Sequence, residues 1–104
     1  MKTEVAILHQ MYPSSFREVV AEKMGPLARF FDGTQSLRAV LDRQHDEHRV
    51  EMIANVRQGT VLVVEGRASS IGAALDEAVN RMGRSLRRHK DKLKAPKRGS
   101  KQIE

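Results

Sequence analysis

The sequence predicts an α+β fold in which four strands form one sheet and two helices cover one of its faces. Four short segments carry aliphatic residues in alternation or in short runs, and two longer segments repeat theirs every three to four positions. Their order is strand, helix, three strands, helix (β-α-β-β-β-α). The helical first connection allows a parallel crossover, and the short later turns favour an antiparallel meander. A chain of 104 residues with 39% hydrophobic residues suits one such domain.

The first strand is predicted over about residues 3–9, where Val5 and its neighbours alternate between apolar and polar side chains. A turn with Pro13 follows and leads into a helix. Ser15 and Glu18, three residues apart, form a candidate capping box for this helix, with Ser14 as the alternative cap.

The first helix contains a proline within its apolar pattern. Apolar residues recur at helical spacing from Phe16 to Phe31, across Gly25 and Pro26. A proline in a helix interior removes one amide donor and crowds the preceding turn, at a cost of about 3 kcal/mol. The sequence therefore predicts a kink or short break at Pro26, with the second piece still packed.

Three strands follow in close succession. They are predicted over residues 36–43, 50–56 and 61–64, because aliphatic residues alternate in the first two and form a short run in the third. The polar segment 44–47 and the Gln58-Gly59 pair supply the two turns.

The last helix is the longest predicted element. It begins after Ser69 or Ser70 as N-cap and ends near Lys94, because Ala95-Pro96 cannot continue it. Its apolar stripe consists of Ile71, Leu75, Val79, Met82, Leu86 and Leu93, with Ala74 and Ala78 beside it. Residues 1–94 are thus predicted to form the domain, and residues 95–104 a basic disordered tail.

Positive charge is concentrated at one end of the chain. Residues 81–104 hold ten Lys or Arg against two acids, whereas the remainder holds nine against eleven. Such a surface suits a nucleic-acid backbone, because neutralising dense phosphate charge releases counterions. A solvated charged helix face and an anionic membrane surface are the alternatives. The membrane is disfavoured because the apolar stripe has a sheet to cover.

The helix directs much of this charge away from its apolar stripe. At about 100° per residue, Arg84, Arg87, Arg88 and Lys94 fall on the half opposite Met82, with Arg81 at its edge. Favourable placement near the helix C-terminus explains one or two basic residues. It does not explain like charges in successive turns, which repel one another.

Other chemistries find little support in the sequence. The chain has no Cys, which excludes disulfides and thiolate chemistry and fits a reducing cytosol. His45 and His48 are predicted to lie in a solvated turn, and His89 to pack on the apolar stripe. No phosphate loop or Ser-His-Asp arrangement can be identified. A non-enzyme is expected, with no cofactor, metal or small-molecule substrate. The scarce aromatics predict that any RNA is read through backbone and shape.

Residues 84–94, RSLRRHKDKLK, resemble the end of the last helix in the ribosome hibernation-promoting factor family, once known as sigma-factor modulation proteins. The HKDKLK segment is similar to the short members in particular. Phe16-Arg17-Glu18, Phe30-Phe31-Asp32 and Ala73-Ala74-Leu75-Asp76 resemble earlier parts of the family, in the same order. The resemblance covers about residues 3–94.

The resemblance implies the same element order and a binding site on the small ribosomal subunit, in the channel used by messenger and transfer RNA. Such factors act in stationary or starved bacterial cells, where they block translation and preserve idle ribosomes. Their basic side chains contact ribosomal RNA phosphates. By position, the implied residues are Lys23, Arg81, Arg84, Arg88, Lys90, Lys92 and Lys94. Arg87 joins them as a basic residue where the family varies. A cytoplasmic protein, monomeric when free, is expected.

Two departures from the family pattern concern possible contacts. Pro26 stands where the family usually has a basic or polar residue, and Ser69-Ser70-Ile71-Gly72 lacks the Tyr that usually opens the second helix. The family's long-form dimerisation domain is not in the sequence, so pairing of ribosomes by the chain alone is not expected. Two other functions remain open: a general structured-RNA binder, and a protein-interaction module such as a transcription-factor modulator.

Overall fold

The computed structural model describes residues 1–94 and confirms the predicted fold class and element order. The strands are β1 (Lys2–Ile7), β2 (Thr34–Gln44), β3 (Glu47–Val56) and β4 (Thr60–Ala68). The helices are α1 (Phe16–Met24) and α2 (Ile71–Lys94), and a 3₁₀ helix, Gly25–Phe30, extends α1. The predicted tail, 95–104, lies outside the described residues, as does the Lys94 side chain.

The four strands form one mixed sheet in the order β1-β2-β3-β4. β1 pairs in parallel with β2, which the α1 crossover permits, and the other pairs are antiparallel. Leu37 pairs with Ala54, and Ala54 with Leu62, so these side chains share one face. That face lies against the helices, and the opposite face is uncovered.

The core lies between the sheet and the apolar side of α2. Leu75, Met82 and Leu86 are almost fully buried, as are Leu37 and Met52 on the sheet. Leu93 was predicted to continue the stripe, and this is wrong because its side chain is 43% exposed. Leu86 is the last fully buried residue of the stripe, and α2 runs about two turns beyond it.

The α-helix is interrupted at Gly25-Pro26, as predicted. α1 ends at Met24, and Pro26 occupies the start of the 3₁₀ helix, where a missing amide donor is tolerated. Leu27 is 2% exposed, so the second piece remains packed.

One of the two helix-start predictions is confirmed. The Ser70 hydroxyl accepts a hydrogen bond from the Ala73 amide at 3.2 Å and caps α2. The capping box of Ser15 and Glu18 does not form. Ser15 has helical backbone angles, which direct its hydroxyl away from the amides that a cap must reach, and it makes no capping hydrogen bond.

Strands β2, β3 and β4 extend beyond their predicted limits, whereas β1 ends at Ile7, before its predicted end. The earlier start of β3 relocates one histidine. β3 begins at Glu47, so His48 belongs to a strand and is only 9% exposed. Its placement in a solvated turn is therefore wrong, whereas His45 does lie exposed in that turn. Burial of the His48 ring is tolerated because Nδ1 has a polar partner, the Tyr12 hydroxyl, at 2.6 Å.

Within residues 1–94, neither helix has the length and apolar character that crossing a membrane requires.

Candidate nucleic-acid interface

The exposed side of α2 carries most of the predicted binding residues. Arg81, Arg84, Arg87, Arg88 and Lys92 are exposed, and Lys90 is half-buried. The side chains buried beneath them, from Ala74 to Leu86, fix the rotation of the helix on the sheet. The charges therefore have a set direction relative to the fold.

We call the exposed basic side of α2 the basic face; it contains Arg81, Arg84, Arg87, Arg88, Lys90 and Lys92. Its first and second halves differ in the carboxylates that lie near them. Near the start of α2, Arg81 Nη2 lies 3.0 Å from Glu77 Oε2. Lys23, reaching across from α1, lies 3.3 Å from Asp76 Oδ1. Both pairs are exposed, so each contributes little to stability and leaves the cation able to exchange its partner for another anion.

Further along α2 the cations have no such neighbours. Among residues 1–94, no carboxylate lies within 4 Å of the side-chain nitrogens of Arg84, Arg87, Arg88, Lys90 or Lys92. Between Arg84 and Lys94, the sequence of α2 has six basic residues and one acid, Asp91. This half of α2 therefore combines a run of basic residues with the absence of carboxylate neighbours among residues 1–94.

The structure brings some of the predicted residues together and separates others. Lys23, Arg84 and Arg87 line one groove, which lies between the 3₁₀ helix and α2. Arg88 and Lys92 lie on the other flank of α2, beside Leu62 of β4. The basic residues thus spread around the exposed half of the helix and do not form a single row.

The uncovered face of the sheet has a different charge arrangement. Arg49 Nε lies 2.8 Å from Glu65 Oε2, and Arg67 donates a hydrogen bond to the same carboxylate. A second nitrogen of Arg67, Nη1, lies 3.8 Å from Glu47 Oε1. Hydrogen bonds from Arg67 and Arg49 hold the pKa of the Glu65 carboxyl below its usual value. The arginines on this face are matched by carboxylates of the protein itself.

The described residues offer no metal centre: residues 1–94 contain no group of three or more His, Asp or Glu side chains placed to hold an ion. His89, predicted to pack on the apolar stripe, does so. Its ring meets Phe31 edge to face, with centroids 5.2 Å apart.

Comparison of the sequence with protein-family models identifies the family of this chain. The model described as "Sigma 54 modulation protein / S30EA ribosomal protein" matches residues 9–94, which includes every element from α1 to the end of α2. The chain belongs to the Sigma 54 modulation protein / S30EA ribosomal protein family.

Proteins similar to this chain have names that refer to ribosome hibernation. A ribosome hibernation promotion factor of Rhizobium meliloti is 28% identical over 98% of this chain. The chain spans only 54% of that relative's length. Ribosome hibernation promoting factors of Escherichia coli K12 and Salmonella typhimurium are 29% and 33% identical, each over 77% of this chain and 83% of theirs.

Solved structures show the same S30EA fold. The N-terminal domain of Thermus thermophilus Protein Y has a TM-score of 0.73 at 23% identity, over 86% of this chain and 99% of that one. A ribosomal subunit interface protein from Coxiella burnetii has a TM-score of 0.74 at 12% identity, over 88% and 99%.

Sequence reasoning missed the aromatic contribution to this surface. Phe30 was counted only with the apolar face of the first helix, yet it is half-buried and lies under the Arg87 guanidinium, 5.0 Å from carbon to ring centroid. A usable signal was its neighbour Phe31. Neighbouring residues on a helix differ in direction by about 100°, so when Phe31 is buried at 4% exposure, Phe30 lies toward the edge of the buried face.

Arg17 belongs to the fold and not to the basic face. Its guanidinium donates a hydrogen bond to the Val5 carbonyl oxygen and so links α1 to β1.

Proposed function

We propose that this protein is a cytoplasmic ribosome hibernation factor. It binds the small ribosomal subunit in the mRNA and tRNA channel, blocks translation and preserves idle ribosomes under stress or in stationary phase. Its contacts are Lys23 and the basic residues of α2, against ribosomal RNA phosphates. The names of its relatives and its place in the S30EA family support this role.

One observation carries the proposal: the second half of α2 presents cations that lack carboxylate neighbours among residues 1–94. A cation that is already paired within the protein must break that pair before it binds a phosphate, which for an exposed pair subtracts a small amount from the binding free energy. Arg84, Arg87 and Arg88 require no such exchange, so phosphate contacts add directly to the binding free energy.

The fold suits occlusion better than catalysis. Because α2 is seated on the sheet by buried side chains, its cations approach an RNA surface as one rigid unit with little ordering cost. A rigid basic body lodged in a channel excludes messenger and transfer RNA by volume alone. No chemical step is needed.

Cosedimentation with purified small subunits over a salt series tests the proposal. If about six phosphates are neutralised, log affinity should fall against log salt with a slope near −5. Replacing Arg84, Arg88, Lys92 and Lys94 together by Gln should flatten the slope to about −2, since each lost contact removes nearly one unit.

Arg38→Gln supplies the matched control, because Arg38 is an exposed arginine on the uncovered sheet face, near Glu4. It should leave the slope unchanged. Retention on naked RNA or on a plain duplex, with none on intact subunits, would replace this proposal with a general RNA binder. Retention of one acidic protein after nuclease treatment would replace it with a protein-interaction module.

A further inference from the structure

A groove of about 300 Å³ separates the 3₁₀ helix from α2. Its floor is apolar and is formed by Leu27, Phe30, Val79 and the backbone at Gly83. Leu27 is almost fully buried, whereas Phe30 and Val79 are half-buried, so the floor opens to solvent through these last two.

Gly83 keeps this groove open. A Cβ atom at this position would lie 3.4 Å from Phe30 Cε2 and 3.6 Å from Leu27 Cδ2, in ordinary contact with both. Any longer side chain would extend into the space between α2 and the 3₁₀ helix. The groove is therefore open because residue 83 is no larger than this small site allows.

The rim of the groove is cationic. Lys23, Arg84 and Arg87 surround the apolar floor, and none of the residues that line it is acidic. A ligand that complements this site has an apolar body and negative charge on its outer side. An unstacked nucleotide has this form, because its base is flat and largely apolar and the adjoining phosphates are anionic.

Arg87 and Phe30 supply a flat surface of the kind a base requires. The guanidinium carbon lies 5.0 Å from the centroid of the ring, and both planar groups are of the kind on which a base can stack. Asn80, also at the groove, carries an amide that can donate to or accept from a base edge.

We infer that this groove binds one unstacked RNA base, with its flanking phosphates on Lys23, Arg84 and Arg87. The inference rests on RNA being the partner, as in the proposed function, and adds a base contact to its phosphate contacts. It also revises the expectation that the protein reads RNA through backbone and shape alone.

Fluorescence anisotropy with two labelled single-stranded RNAs tests this inference. One is an oligoadenylate of about ten nucleotides, and the other has the same length with every base removed. Both carry the same phosphates. The wild-type protein should bind the base-bearing RNA about five-fold to a hundred-fold more tightly, the range of one stacked base.

Gly83→Leu should abolish this preference by filling the groove, while its affinity for the abasic RNA and its salt slope stay unchanged. Phe30→Leu keeps the apolar volume, removes the ring and should reduce the preference, which provides a second variant if Gly83→Leu does not fold. Equal affinity of the wild-type protein for both RNAs would overturn the inference, as would an intact preference in Gly83→Leu.

Retention on small subunits, measured in parallel, separates the two claims. Equal affinity for the two RNAs together with normal retention overturns the groove inference alone. A base preference without retention on subunits overturns the ribosomal role and leaves the groove as an RNA-binding site.

Discussion

At the scale of single residues, the partner of each arginine decides what that arginine can do. Arg49 and Arg67 share the Glu65 carboxylate, and Arg17 donates to a backbone carbonyl oxygen. Arg84 and Arg88 have no carboxylate within 4 Å among residues 1–94. Side chains of the same chemistry therefore stabilise the fold in one place and remain available to an external anion in another.

Glu65 should make stability depend on pH. Its pKa is lowered in the folded state by hydrogen bonds from Arg67 and Arg49, so its contribution is present above its unfolded pKa of about 4.3. That contribution is lost as pH falls through the lower folded pKa. Urea unfolding should therefore show a gap between wild type and Glu65→Gln that is largest near neutral pH and closes in acid. A gap that does not vary with pH would contradict this account.

Tyr12 and His48 form a buried polar contact that can be tested separately. The Tyr12 hydroxyl lies 2.6 Å from His48 Nδ1, and burial raises the pKa of the phenol, which is protonated at neutral pH even without this shift. Tyr12→Phe retains the ring and leaves the imidazole nitrogen unpaired. The free energy of unfolding should fall by about 1–3 kcal/mol.

A Tyr12→Phe/His48→Leu double variant is the control for that experiment. Because it removes both polar partners, it leaves neither group unpaired and should lose less stability than the sum of the single variants. Additive losses, or an unchanged unfolding midpoint in Tyr12→Phe, would show that the contact does not stabilise the fold.

At the scale of elements, two glycines have opposite roles around α2. A Cβ atom at Gly66 on β4 would overlap the Ala74 carbonyl oxygen and lie 2.7 Å from the Ala78 amide nitrogen. β4 can therefore approach the backbone of α2 this closely only because Gly66 has no side chain. Gly83, inside α2, has room for a methyl group.

Alanine substitutions should therefore change stability in opposite directions. Gly66→Ala should destabilise the protein by about 1–3 kcal/mol or more through overpacking. Gly83→Ala should stabilise it by about 0.5–1 kcal/mol, because a helix interior favours Ala. Thermal unfolding measures both changes. A loss of stability in Gly83→Ala would mean that the groove floor is tighter than its geometry indicates.

The sequence predicted elements well where local chemistry determines them. Pro26 has no amide hydrogen, so the break in the first helix follows from covalent structure. The extra length of β4 could not be predicted, because residues 65–68 are polar or small and join the strand only through pairing with β3. His48 was misplaced for the same reason: its hydrogen-bond partner Tyr12 is distant in the chain.

The candidate site was predicted in part. The basic residues of α2 were identified from composition and helical period, because both can be read within a single helix. The groove was not, because Lys23, Phe30 and Gly83 meet only when the 3₁₀ helix packs on α2. The spacing of residues within either segment does not indicate that the two segments pack together.

At the scale of the whole molecule, the two faces of the layered fold have different electrostatics. On the uncovered sheet face, Arg49 and Arg67 form ion pairs with the carboxylates of Glu47, Glu51 and Glu65. The helical face concentrates cations without such matching in the second half of α2. One layer of apolar side chains separates the two faces, so the molecule has a single preferred side for an anionic surface.

Directed hydroxyl-radical probing tests this central claim most directly. The chain has no Cys, so one introduced Cys carries an iron chelate at a chosen point. Asp91→Cys places the probe in the basic face of α2, and Val63→Cys places it on the uncovered sheet face, where Val63 is 56% exposed. We predict that the Asp91 probe cleaves small-subunit RNA lining the mRNA and tRNA channel, and that the Val63 probe cleaves it more weakly. Cleavage from Val63 alone, or from neither position, would contradict docking through α2.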